Sequence, residues 1–446
     1  MNQIAIGDVS AGWLVLSGQS VAPPFKRAAF SSIFSEADVV DDILKLSLEG
    51  TSDLISDALA ALEKVRQRAA AYGQAAYPMP QYLRFQPVDE GEYFYTPISD
   101  LHIEFNPEGF TTHQTGSLRI LLHFTRPNYF DAEQVELPLT NRNGTGVTGG
   151  ITIRNHTDYH AGHDSSVLID PDDWESALPA SIRFVLENSY ASGILKDVLV
   201  GVYHHPTNDE DEIFFLNAPD LLGGTQTYSA SAINDYYHTL AWSAVDWTAL
   251  GAWTLASMDV RLYAGKAYRP ILHFFNAHAY DDLYLKVQLQ KGTNILWSGD
   301  AVFADPSHRY LLFPPLRIPP VQLLGEDLPH HVDLVIYGQH EASGTYTISI
   351  DQLFLLPLDA SASFLGFFDM NQDDILIDDS FRELHNVHYT TNGAETVAHL
   401  RQGGPLLIAP GEYNRVFFFM INGDNAADIL RTASLKMYYR KRVRLL

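Results

Sequence analysis

The sequence predicts a mainly β protein with one long α-helix, arranged as an N-terminal β region that carries the helix, a central jelly-roll β-sandwich and a C-terminal β region. Three observations predict this. Apolar and polar residues alternate in Leu44-Lys45-Leu46-Ser47-Leu48, in Leu101-His102-Ile103-Glu104-Phe105 and from Leu118 to Phe124, the period-two pattern of half-buried strands. One segment alone, Thr51 to Tyr72, changes to helical spacing. Turn-forming clusters (Asn106-Pro107-Glu108-Gly109, Asn141-Arg142-Asn143-Gly144, Asn422-Gly423-Asp424-Asn425) punctuate the rest.

The helix rests on Leu54, Ala58, Leu62, Val65, Ala69 and Tyr72, spaced four, four, three, four and three apart, which draws one apolar stripe along an α-helix. Thr51 or Ser52 caps its start, Asp53 and Asp57 suit the positive end of the helix dipole, Arg66 and Arg68 lie toward the other end, and Gly73 reads as the stop. A lone amphipathic helix among strands lays its stripe either on a sheet or on another subunit.

Four glycines within residues 141–150 mark a first linker. Beyond it come ten short strand patterns: Ser166–Ile169, Ser181–Leu186, Val198–Tyr203, Ile213–Leu216, Met258–Tyr263, Ile271–Phe275, Leu283–Leu289, Tyr310–Phe313, Val332–Tyr337 and Thr345–Leu356. That density suits a two-sheet jelly roll. A second boundary falls near Pro357-Leu358-Asp359-Ala360-Ser361, and the tail holds at least Arg415–Ile421 and Leu435–Leu446 as strands. The expected division is therefore 1–145, 150–358 and 359–446.

At 446 residues, 46% hydrophobic and 12% aromatic, the chain has the length for two to four domains and the apolar content to fill their cores, which excludes disorder as its main state. No apolar run reaches the length of a membrane span, so no membrane insertion is expected, and the opening Met1-Asn2-Gln3-Ile4-Ala5 lacks the form of a signal peptide. Cysteine is absent, which removes disulfides, thiolate metal sites and cysteine nucleophiles together. The formal charge of −25 opposes binding to a nucleic-acid backbone. Against that acidity, the last sixteen residues carry Arg431, Lys436, Arg440, Lys441, Arg442 and Arg444 with no acid. Apolar Leu435, Met437, Tyr439, Val443 and Leu445 are threaded between them, so the end reads as a docking strand that meets an acidic surface.

Candidate chemistry is sparse. His156, His160 and His163 with Asp158 and Asp164 hold metal-ligand side chains, but no Glu stands between the histidines as a zinc hydrolase needs. A polar inter-domain turn is the favoured reading over a metal site. Asp369-Met370-Asn371-Gln372-Asp373-Asp374 imitates the start of a calcium loop, yet Asp374 stands where such a loop needs Gly and Ser380 where it needs Glu. Asp209-Glu210-Asp211-Glu212 reads as a solvated connection. There is no Gly-x-Ser-x-Gly elbow and no phosphate or dinucleotide loop, so no enzyme, cofactor or metal is expected. Tyr236, Tyr237, Trp242, Trp247 and Trp253 crowd eighteen residues; they serve either as core and interface anchors or as stacking surfaces for a host-surface glycan.

Three stretches carry a resemblance to the distal tail and tail-tube-like structural proteins of long-tailed (siphovirus-type) phages or prophages. The first is Leu46-Ser47-Leu48-Glu49-Gly50-Thr51-Ser52-Asp53-Leu54 leading into the long helix. The second is Ile120-Leu121-Leu122-His123-Phe124-Thr125-Arg126-Pro127-Asn128-Tyr129-Phe130 followed by Val135-Glu136-Leu137-Pro138-Leu139-Thr140-Asn141. The third is Gly411-Glu412-Tyr413-Asn414-Arg415-Val416-Phe417-Phe418-Phe419 with Leu435-Lys436-Met437-Tyr438-Tyr439-Arg440.

The resemblance implies that residues 1–145 form a ring-building, tail-tube-like β-sandwich, followed by a galectin-like or carbohydrate-module-like jelly roll. It implies a homo-oligomeric ring, commonly a hexamer, in the virion tail. Such a ring is assembled in the host cytoplasm, contacts tail-tube and tail-tip (baseplate hub) proteins, and passes genome DNA through its lumen. On this expectation the stripe Leu54, Ala58, Leu62, Val65, Ala69, Tyr72 is the subunit contact, and acidic side chains face the lumen or the exterior. The alternative reading is a carbohydrate-binding adhesin or glycosidase-like jelly roll; a subunit of a phage-like contractile or secretion machine is a third.

Overall fold

In the computed structural model the chain is mainly β with a single α-helix. The description covers all residues except 1–2, 19–20, 22, 31–37, 75–79, 88–90, 107–115, 141–149, 155–164, 192, 206, 208–214, 256–264, 321–331, 365–368, 380–386, 392–393, 399–402, 421–429 and 445–446. Two compact units divide it. One comprises Met1–Val135, Glu175–Ala180 and Arg440–Leu446, the other Glu136–Trp174 and Ser181–Tyr439. They cut the chain otherwise than at 145 and 358, because segments distant in sequence pair within each unit.

The first unit contains β1 (Gln3–Asp8), β2 (Gly12–Ser17), β3 (Phe25–Phe30), β4 (Val39–Gly50), α1 (Ser52–Gly73), β5 (Gln81–Gln86), β6 (Phe94–Asn106), β7 (Gly116–Pro127) and most of β8 (Phe130–Glu136). Two antiparallel ladders share β6. Its first half, Phe94 to Ile98, pairs with β5, which continues through β1 to β2. Its second half, Ser99 to Asn106, pairs with β7, which continues through β4 to β3. The changeover is a bulge between Ser99 and His102, where Asp100 has φ of 49°, a left-handed conformation uncommon outside glycine.

Alternation along the strands sends Leu44, Leu46, Leu48, Leu118, Ile120, Leu122 and Phe124 to one face, where they form a core with Ile4, Ile6, Leu16, Leu83 and the inner side of α1. Thr51 caps the helix by accepting from the Leu54 N–H, as its residue type predicts. Gly73 is the last helical residue and not the stop; Gln74 ends the helix by donating its N–H to the carbonyls of Ala71 and Tyr72. No left-handed turn is made there, so glycine's freedom goes unused.

The second unit opens with β9 (Ile151–Arg154), β10 (Ser166–Ile169), β11 (Ala180–Asn188) and β12 (Val198–His205). There follow β13 (Phe215–Asn217), β14 (Thr225–Tyr228), β15 (Tyr236–Trp242), β16 (Thr248–Leu255), β17 (Ala267–Phe274), β18 (Tyr284–Lys291), β19 (Asn294–Ser298), β20 (Val302–Phe303), β21 (Tyr310–Leu312), β22 (Leu316–Arg317), β23 (Val332–Gln339) and β24 (Tyr346–Pro357). These make two sheets. The seven-stranded one runs β14-β15-β24-β17-β21 with β13 on β24 and β22 on β17; the five-stranded one runs β16-β23-β18-β19 with β20 on β18. Their facing sides fill a common core that includes Leu240, Trp242, Trp253, Leu285, Val287, Leu334, Ile336, Ile348 and Phe354.

After them come β25 (Ser361–Phe364), β26 (Ile375–Asp379), β27 (Val387–Thr391), β28 (Ala394–Ala398), β29 (Leu407–Ile408), β30 (Tyr413–Met420) and β31 (Leu430–Val443). Here the sequence expectation is corrected. Ser166–Ile169, Ser181–Leu186 and Val198–Tyr203 do not enter the two jelly-roll sheets. β30 pairs with β10 and β12, β31 with β9 and β11, and β25 with β12. Periodicity identifies a strand and its buried face, whereas its partner is chosen by long-range packing. The proposed strand Met258–Tyr263 lies outside the described residues.

Candidate interaction surfaces

The helix stripe is an internal surface. Ala58, Leu62, Val65 and Ala69 are buried in the first unit's core, joined by Ile55, so the buried series runs 55, 58, 62, 65, 69 at the helical period. Leu54, expected in the stripe, is 41% exposed; it lies in the first turn of the helix, where its N–H is taken by the Thr51 cap. Tyr72 is half-buried. Of the six residues expected as a subunit contact, Ala58, Leu62, Val65 and Ala69 are taken up by the core of their own unit, while Leu54 and Tyr72 keep exposed surface.

Beside it lies an open groove of about 530 Å³, lined by Ser56, Leu59, Ala60, Glu63 and Arg66 of α1 and by His102, Ile103 and Phe105 of β6. Arg66 grips Glu63 through two bonds, Nε to Oε2 at 2.8 Å and Nη2 to Oε1 at 2.6 Å. That hydrogen bonding holds the Glu63 carboxyl down at about 2 and raises Arg66 further. Phe105 is 53% exposed at the rim.

The strand order β3-β4-β7-β6 leaves β3 on one margin of this sheet and the second half of β6 on the other. Among the described residues neither margin has a further ladder partner. The face opposite the helix is polar and mixed in charge. Asp41, Lys45, Glu49, Glu104 and Arg119 are exposed on its strands, His123 Nε2 lies 3.0 Å from Glu104 Oε2, and Lys26 pairs with Glu49.

The aromatic cluster of 236–253 is split among surfaces. Trp242 and Trp253 are core residues; Trp253 donates its indole N–H to the Asn217 carbonyl at 2.8 Å, and Trp242 packs against His340 and Tyr346. A stacking role on glycan is excluded for both. Tyr236 and Tyr237 are half-buried on β15, Tyr236 against Tyr228, and Tyr237 stacked on Phe275 at 4.2 Å and 9°. Trp247 alone reaches the outer face of the five-stranded sheet, where the Lys286 ammonium lies 4.3 Å from its ring centroid.

The basic end docks on its own chain. Arg442 donates from Nε to Asp131 Oδ1 at 2.8 Å and lies 4.0 Å over the Tyr129 ring, while Lys441 reaches Glu175 Oε2 at 2.6 Å. Burial pushes the Asp131 carboxyl up despite the guanidinium beside it. Farther back on the strand, Arg431 covers the Tyr190 ring at 4.9 Å and donates to the Ile194 carbonyl.

Sequence reading missed a buried pair, His273 Nδ1 and Asp351 Oδ1 at 2.5 Å, both about fully enclosed, with Ile233 N–H also directed at Asp351. Nothing in the linear pattern couples positions 78 residues apart. A second cluster joins His204 Nε2 to Lys266 Nζ at 3.0 Å, with Glu412 at 4.0 Å; burial first, then the Lys266 charge, lowers the His204 pKa.

No group of three or more His, Asp or Glu side chains suited to a metal occurs among the described residues. His156, His160 and His163 lie outside them, as does Asp209–Glu212. In the calcium-like stretch, Asp374 turns inward and accepts from the Asn371 N–H at 2.7 Å, which closes a turn instead of opening a ligand. No helix among the described residues is long and apolar enough to cross a membrane.

No family model matches the sequence, and no curated protein does. Among solved structures, a chain of the phage P2 baseplate in its activated conformation with Ca is similar over 100% of both chains, at 9% identity and a TM-score of 0.29. A putative secreted protein from Parabacteroides distasonis is similar over 57% of this chain and 98% of its own, at 9% identity and a TM-score of 0.17. A fructofuranosidase from Schwanniomyces occidentalis follows at 8% identity, 99% and 65% coverage and a TM-score of 0.12. Scores this low do not amount to a shared fold.

Proposed function

We propose that this protein is a non-enzymatic structural subunit of a phage-type tail. It builds a homomeric ring, a hexamer on the family resemblance, that joins the tail tube to the tip and lets DNA pass. The supporting observation is the sheet β3-β4-β7-β6, which has a helix on one face, a polar opposite face, and two different margins without ladder partners among the described residues. Unpaired strand margins are a standing invitation to pair with another chain. Joining β3 of one copy to β6 of the next is a head-to-tail contact, and such contacts close into rings when the rotation between copies is fixed. The groove beside β6, with Leu59, Ile103 and Phe105, gives the incoming strand an apolar seat.

Light scattering of the purified chain, followed by negative-stain electron microscopy, tests this reading. Wild-type protein is expected to form closed rings, and Phe105→Asp, at an exposed site, to yield monomers with unchanged melting temperature. A wild-type chain that stays monomeric at its highest soluble concentration overturns the proposal, as does a ring that Phe105→Asp leaves intact.

A further inference from the structure

We propose that the outer face of the sheet β2-β1-β5-β6 docks an acidic segment of another protein, with Arg84 gripping one of its carboxylates. Ile4, Ile6 and Leu83 point into the core of the first unit, so their neighbours Ala5, Gly7 and Arg84 lie on the opposite face. Pairing sets Trp13 opposite Gly7, Arg84 opposite Ala5 and Tyr95 opposite Arg84. Ala5 and Gly7 carry almost no side chain, which lets Arg84 reach diagonally over β1 until its guanidinium carbon lies 4.5 Å from the Trp13 ring centroid. Gly7 is held to glycine by its φ of 146°, and a Cβ there would stand 2.3 Å from the Gly12 carbonyl oxygen.

Arg84 is braced but not neutralised. The Tyr93 ring also lies 4.5 Å from its guanidinium carbon, so two aromatics fix it by cation–π contact. Both rings are pinned in turn: Trp13 packs on Tyr95 at 5.7 Å, and Tyr93 Oη donates to Gln3 Oε1 at 3.0 Å. Yet among the described residues nothing accepts a hydrogen bond from Arg84, and its Nε is enclosed without a partner. Glu133 is turned instead to the Tyr95 hydroxyl, 3.3 Å away. In a chain of 54 acids against 29 bases, Arg66, Arg126 and Arg442 each grip a carboxylate of their own. Arg84 keeps its fork of N–H donors for an acceptor from outside, and a carboxylate matches that fork with two parallel bonds.

The surroundings select a protein as the source of that carboxylate. A small acid needs a concave site to enclose it, whereas Trp13, Arg84 and Tyr95 are half-buried and spread over three strands, with Val9 at the hairpin tip 73% exposed. Trp, Tyr and Arg are the residue types that dominate protein–protein hot spots. Nucleic acid would bring a row of phosphates against a chain of −25, and a second copy would bring another −25. One Asp or Glu side chain brings a single charge to a cation that lacks one. The face lies wholly within the first unit but away from β3 and from the second half of β6, so docking and ring closure are separate and either can fail alone.

The test pans the full chain against a displayed library of random dodecapeptides and measures the selected peptides by fluorescence anisotropy. These peptides are expected to share an Asp or Glu. Changing that acid to its amide, or Arg84→Ala in the protein, is expected to lower affinity about tenfold or more, some 1.4 kcal/mol per factor of ten. Arg84→Lys is expected to fall nearly as far, because an ammonium has no planar fork. Arg119→Ala, exposed on the other ladder, is expected to change nothing. Melting curves that match wild type show that the Arg84→Ala loss is local; if that variant unfolds, the Arg84→Lys loss decides. A library that yields no acidic peptide, or peptides bound equally by the Arg84 variants, overturns the proposal. So does a ring that Arg84→Ala takes apart, which would place a second copy on this face.

Discussion

Leu62→Ala separates an internal helix stripe from a subunit contact. Leu62 is completely buried between α1 and the sheet. Truncation to alanine removes three carbons from the core, worth roughly 2.4 kcal/mol at about 0.8 kcal/mol per methylene. The space left between a helix and a sheet fixed by its ladders relaxes only in part, which lifts the total to about 3–4 kcal/mol, within the usual range for such substitutions. For a domain of this size that is a fall in melting temperature of roughly 6–16 °C. Calorimetry at two protein concentrations tenfold apart should give the same fall at both, because the lost contacts are intramolecular. Leu54→Ala, at an exposed position, should stay within about 0.5 kcal/mol of wild type. A Leu62→Ala effect that grows on dilution, or a Leu54 cost equal to that of Leu62, would show the reasoning wrong.

Three further outcomes are expected. Asp351→Ala, which leaves His273 enclosed without its carboxylate, should cost about 3–5 kcal/mol in urea unfolding. Arg442→Lys should not restore what Arg442→Ala loses, about 2 kcal/mol for a charge-assisted bond, because only the planar guanidinium both reaches Asp131 and lies on Tyr129. The His204 pKa is lowered, with Lys266, His205, Glu412 and Asp359 around it. The unfolded chain therefore takes up the proton first as pH falls below 6.5, and stability is present above that value and declines as pH drops through the folded pKa. His204→Gln should flatten this decline in melting curves taken between pH 7.5 and 5.

Local signals were legible and partners were not. Thr51, Leu62 and Val65 announced the helix and its phase because a cap and a 3.6-residue period are written in adjacent residues. Leu54 against Ile55 was misread because both fit the spacing, and only the position of the sheet chooses between them. The strand at Val198 was plain from its apolar run, yet its pairing with β30 joins residues more than 200 positions apart, a choice made by packing. The alternation Tyr284-Leu285-Lys286-Val287-Gln288-Leu289-Gln290 already marked an outward row of Tyr, Lys and Gln. That Trp247 and Tyr337 stand beside Lys286 depends on strand order and had no linear trace. Trp242 and Trp253 belong to the core through the in-and-out pattern of their own strands, β15 and β16.

Burial of the stripe strengthens the proposed assembly. Two copies meeting through the same helix face would make an isologous contact, and an isologous contact ends at a dimer. The margins β3 and β6 are different surfaces, so joining them repeats and either closes or runs on as a filament. Closure requires every copy to hold the two margins at one angle. α1 enforces that angle by packing Ile55, Ala58, Leu62, Val65 and Ala69 across the sheet that carries both. Loosening the helix with Leu62→Ala should then do more than lower stability. At temperatures where the variant is still folded, electron microscopy should show open arcs or rings of mixed size, whereas Leu54→Ala should give rings of a single size. Uniform rings from both variants would mean that the angle is set elsewhere, and the helix would be left with a purely internal role.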